Sequence, residues 1–209
     1  MSAKIDLEQL EKISHLLENF ISQISPNRKD SVAAQIAYCN MKIKEFAQRS
    51  SQGVNAIVSS ENFPNVRENC FEDGMNSHGI LLDRLTILLC KKHLAANNHF
   101  SMIDTNNQIR GILRSISSAR LARTPMLAKE ATERIKKPPE SLGNPLISLQ
   151  SSNLLMWINQ DLLYTSDVES APQIRLREYI KFFGTSNRER NSAIEAIDLW
   201  FLDRFRGVE

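Results

Sequence analysis

Asp83, Thr86, Cys90 and His93 follow one another at steps of three and four residues. On a helix that spacing puts a carboxylate, a hydroxyl, a thiol and an imidazole along one strip. Arg84 and Lys91 occupy a neighbouring strip. Such a set suits proton transfer beside an anion, with Asp83 as acid or base and Arg84 and His93 close by. Two other segments carry polar groups among apolar ones. Asn159 and Asp161 interrupt LLMWINQDLLY, and Arg188, Arg190 and Asn191 precede SAIEAIDLWF. If those segments flank the first, Asp83 can meet Arg190 while Asn159 faces Arg84. Arg84, Arg188 and Arg190 would then serve as anion clamps. A helix starting near Ser186 would add unpaired amide donors that favour a negative charge. The structural alternative is that Asp83 pairs with a base on another helix and fixes the register, because buried charges are usually paired.

Other chemistries find less support in the spacing. Cys70, His78, Cys90 and His93 are the only plausible metal-ligand set; Cys90-x-x-His93 puts two on one helical face, but the other two are isolated, whereas zinc ligands usually come in closely spaced pairs. No metal or cofactor is therefore expected. There is no Gly-x-Ser-x-Gly and no cysteine in a nucleophile context. The Arg-to-His spacing of helical ribonucleases from bacterial conflict systems is four to six residues, whereas Arg84 and His93 have eight between them. From Gln108 to Lys137 lie Arg110, Arg114, Arg120, Arg123, Lys129, Arg134, Lys136 and Lys137 against Glu130 and Glu133, eight positive charges less two negative. That excess would suit nucleic-acid phosphates, an anionic surface or a nucleotide-linked substrate. No aromatic residue interleaves it to stack on bases, and a solvated helix face explains it as well.

The elements that must position these residues are helices. The stretch from Gly79 to Ala95, GILLDRLTILLCKKHLA, is apolar almost all the way round a helical wheel and belongs at the centre of a bundle. Charge inside it must find partners or cost several kcal/mol. Leu7, Leu10, Ile13, Leu17, Phe20 and Ile24 make one stripe over residues 6–25, capped by Asp6 and closed by Pro26. Val32, Ile36, Cys39, Ile43 and Phe46 make a second over 28–48, giving an antiparallel hairpin that packs on the core or extends into a homodimer. Residues 50–76 are rich in turn formers, with at most a short helix near 54–59. Further helices are expected from Ser101 to before Pro125, over 126–135, over 146–165, from Pro172 to Phe183 with Gly184 as a stop, and from Ser186 onward. The expected fold is all-α, with seven or eight helices. Residues 1–49 form the hairpin, 50–75 a connector and 76–209 the core, or else 1–209 a single domain.

Bulk properties agree with a globular chain. Its 209 residues are 42% hydrophobic and 24% charged, and the formal net charge of +2 is too small to name a partner. Three scattered cysteines fit a reducing compartment. No signal-like N-terminus and no bilayer-length apolar run is present, so a cytoplasmic protein is expected.

Three segments resemble the signature segments of bacterial all-helical proteins of unknown function, often encoded among surface-polysaccharide and glycosyltransferase genes. They are DRLTIL with the following Lys91 and Lys92, then LLMWINQDLLY, then NRERNSAIEAID. The middle one departs from that pattern, with Tyr164, Thr165 and Ser166 where an acidic pair is expected. The resemblance implies an all-helical fold and a link to glycan metabolism, and supplies no catalytic residue. The functional expectation is thus an accessory protein that binds a small anionic ligand or a protein partner in a polar pocket. The alternatives are an enzyme acting on a phosphate-containing substrate and a nucleic-acid-binding or conflict-system protein using the basic segment 110–137.

Overall fold

The computed structural model describes residues 6–24, 32–59, 71–72, 77–94, 99–118, 121–122, 137–165 and 173–206. These form six helices: α1 (Leu7–Ile24), α2 (Val32–Ser59), α3 (His78–Leu94), α4 (His99–Ser118), α5 (Gly143–Thr165) and α6 (Gln173–Arg206). A two-residue parallel pairing joins β1 (Phe71–Glu72) to β2 (Leu121–Ala122). The all-α class holds, with six helices rather than seven or eight among the described residues. The helix expected over 126–135 lies outside them.

Asp6 starts α1, its Oδ1 accepting the Glu8 amide at 3.1 Å. The stripe Leu10, Ile13, Leu17, Phe20, Ile21 and Ile24 is buried within this one chain. That stripe packs against α2, α3 and α4. Ser77 begins α3, its Oγ accepting the Ile80 amide at 3.3 Å. Leu81, Leu82, Leu85, Leu89 and Leu94 of α3 are buried, and the helix packs against α1, α4, α5 and α6. Its central place matches the apolar run. Arg84 on its remaining face is exposed. Within α5, Leu149 through Leu154 are buried without a break, as are Ala193 through Asp198 of α6. The inner layer is thus made of α3, α5 and α6 together.

Two helix ends fall elsewhere than the sequence suggests. Ser50, Ser51 and Gly53 do not break α2, which runs on to Ser59. Val54 and Val58 enter the core there, and a Cβ on Gly53 would come within 2.5 Å of Leu16 Cδ1. The glycine supplies room for α1, not a turn. Gly184 likewise does not stop α6, and Ser186, expected as a cap, is buried inside the helix. A glycine inside a helix costs about 1 kcal/mol, less than leaving a fresh set of end amides and carbonyls unbonded.

Two helix starts are capped from a distance. Gly79 N–H donates to Asp198 Oδ1 at 2.7 Å, and Gly143 N–H donates to Asn55 Oδ1 at 2.7 Å. At both, a Cβ would run into backbone: Ile194 O at 2.5 Å for Gly79, and Ser51 O for Gly143. Side-chain caps satisfy amides that the helix itself cannot.

Candidate functional site

Asp83 lies at the meeting of α3, α5 and α6. Its side chain is 4% exposed and forms a two-point ion pair with Arg190 of α6. Arg190 Nε donates to Oδ1 at 2.7 Å, and Nη2 donates to Oδ2. From α5, Asn153 Nδ2 donates to Asp83 Oδ1 at 2.9 Å and to Thr86 Oγ1 at 2.7 Å. Thr86 in turn donates to the Asp83 carbonyl at 2.8 Å. One turn on, Gln150 Nε2 donates to Cys90 Sγ at 3.2 Å. The polar strip of α3 is therefore answered by an amide strip of α5 and one guanidinium of α6. The Asp83 hydrogen bond holds the Arg190 pKa above its ordinary value against the opposing effect of burial.

The pairing of Asp83 with Arg190 is present. Both Asp83 oxygens are taken by donors. Asn159 Nδ2 donates to Leu155 O of its own helix at 2.8 Å. His93 is ten residues from Asp83, about 15 Å along the axis at 1.5 Å per residue, too far for a shared proton. Burial lowers the His93 pKa, with Glu18 opposing that shift, and among the described residues Nε2 has no hydrogen-bond partner. Asn191 is half-buried, and the Asp161 side chain lies outside the described residues. Asp83, Arg84 and His93 thus do not converge.

At the opposite end of α3, His78 stacks on Phe201 with ring centroids 4.3 Å apart. Burial pushes its pKa down to about 4. Burial also pushes the Cys90 thiol up to about 12 and the Cys39 thiol up to about 11, so both stay protonated at neutral pH. His78 and His93 are about 22 Å apart along the helix by its rise per residue, so they cannot share a metal. Cys70 lies outside the described residues, and among those described no group of three His, Cys, Asp or Glu is placed to hold a metal. Of the basic segment, Arg110 and Arg114 are exposed on α4 and Lys137 is exposed in the chain leading to α5. Arg120, Arg123 and Lys136 lie outside the described residues.

An open groove lies between α5 and α6, with a volume of about 520 Å³. Asn144, Pro145 and Ser148 form one wall, and Thr185, Arg188, Glu189 and Ser192 form the other, over a floor that includes Ala193 and Ala196. Arg188 is the one sequence-predicted ligand residue that lines it. The remaining polar residues were missed, although their order is readable. Asn144 and Ser148 stand four apart, and Thr185, Arg188, Glu189 and Ser192 recur at steps that share one helix face. Asn153 and Gln150 were missed for another reason: in LISLQSSNLLMW they read as ordinary polar interruptions until the charge they answer is known.

The chain matches no family model, no curated protein and no solved structure in the comparisons made. Among the described residues no helix is long and apolar enough to cross a membrane.

Proposed function

We propose that this protein is a non-catalytic accessory protein of bacterial glycan metabolism that binds a small anionic, hydroxyl-rich ligand in the α5/α6 groove. The observation carrying this reading is the contrast between the two polar clusters. At the first, both carboxylate oxygens of buried Asp83 accept hydrogen bonds from side chains of neighbouring helices. At the second, Arg188, Glu189, Ser148 and Ser192 line an open groove beside Asn144, which accepts from Ser51, and Thr185, which accepts from Arg188. An arginine suits a phosphate or carboxylate, and hydroxyl and amide groups suit a sugar. The glycan setting comes from the resemblance of the three segments, all of which lie on α3, α5 and α6.

Titration with glucose 1-phosphate, followed by amide NMR and calorimetry, tests this. Shifts should concentrate at Asn144, Ser148, Arg188 and Ser192. Arg188→Ala should weaken binding about tenfold, the lower end for a charge-assisted hydrogen bond, while leaving the unfolding midpoint unchanged. Shifts confined to other surfaces, or none at millimolar ligand, reject the reading.

A further inference from the structure

The two walls of the groove are tied to each other from behind by a single carboxylate. Asp83 Oδ1 accepts from Asn153 on α5 and from Arg190 on α6. At about 100° per residue, Asn153 lies roughly 140° round α5 from Ser148, and Arg190 roughly 160° round α6 from Ser192. Both contacts therefore face away from the groove while the groove residues face into it. Along α6, Arg190 falls midway through the stretch 185–196 that forms the wall.

We propose that Asp83 is a positioning residue: by holding α5 and α6 at a fixed spacing, it sets the width of the groove and so the fit of its ligand. The ligand part of this rests on the reading of the groove given above; the spacing part does not. An ion pair with two parallel hydrogen bonds fixes angle as well as distance, which a purely apolar contact would not do. Asn153 supplies the second tie and also holds Thr86, so α5 is registered against two successive turns of α3.

The test places spin labels at Ser148→Cys and Ser192→Cys, with Cys70 replaced by serine. Cys39 and Cys90 are buried and will not take the label. The labelled wild-type background should show one narrow distance distribution across the groove. Asn153→Ala keeps the ion pair but releases α5, and should broaden or shift that distribution. Asp83→Ala should do so more strongly, and Asp83→Asn, which keeps one acceptor oxygen, should restore part of the narrow distribution. Glucose 1-phosphate affinity should fall about tenfold in Asp83→Ala and recover in the same order. A merely structural role lowers the unfolding midpoint and leaves the distance unmoved. If Asp83→Ala fails to fold, Asn153→Ala carries the test. An unchanged distance in folded Asn153→Ala and Asp83→Asn overturns the proposal. Widened distances together with no sugar-phosphate binding by the wild type support the spacing role and overturn the ligand reading instead.

Discussion

His78 carries a pH dependence whose sign follows from its surroundings. The unfolded chain takes up the imidazole proton near pH 6.5, whereas the buried ring does so only near about 4. Acidification through that window therefore favours the unfolded state, and the loss stops below it, where both states are protonated. The shift corresponds to about 3 kcal/mol across the window at 1.36 kcal/mol per pKa unit. Urea unfolding of wild type and His78→Phe at pH 7 and pH 4.5 should show the smaller acid loss in the variant. The Asp83 cluster responds to a different perturbation. Asp83→Ala leaves the Arg190 guanidinium without its acceptor and the Asn153 amide with Thr86 Oγ1 alone. It should cost about 3 kcal/mol, at the low end for a broken buried pair because the guanidinium side is 28% exposed. Denaturant melts at pH 7 check that figure.

Helix crossings separate the glycines into two classes. At Gly79 and Gly143 a methyl group would meet a backbone oxygen, which cannot turn aside as a flexible side chain can. Gly79→Ala and Gly143→Ala should each lower stability by about 3 kcal/mol, the upper end for overpacking. At Gly111 and Gly184 nothing lies within 4 Å of the added methyl. Gly111→Ala and Gly184→Ala should each raise stability by up to about 1 kcal/mol by restoring helix propensity. Thermal melts of the four variants should fall on both sides of wild type. The same distinction explains what the sequence discloses. Periodic leucines and isoleucines name α1, α3 and the stripe of α6, because apolar burial follows local spacing. Glycine carries no such message: Gly53 and Gly184 read as breaks, yet one is a contact point and the other an exposed position inside a continuous helix. Asp83 is conspicuous because it violates its surroundings, and Arg190 follows as its counter-charge. Neutral partners such as Asn153 stay hidden, since their role depends on which helix lies opposite. The groove is hidden for the same reason, being defined by the packing of α5 on α6.

In the whole molecule, α3, α5 and α6 make a common interior with α1 and α2 closed over it. A variant ending after Thr165 removes α6, and with it Arg190 and the Asp198 cap. It should lose cooperative unfolding, as judged by circular dichroism during a urea titration, while keeping some helical signal. Asp198 also bears on how the chain is made. The amide it satisfies belongs to Gly79, 119 positions earlier in the chain. While the polypeptide leaves the ribosome, α3 has neither that cap nor the guanidinium for its carboxylate until α6 has followed it. The apolar α3 therefore emerges well before α6 and waits for it, which makes it a segment that a chaperone would hold during synthesis.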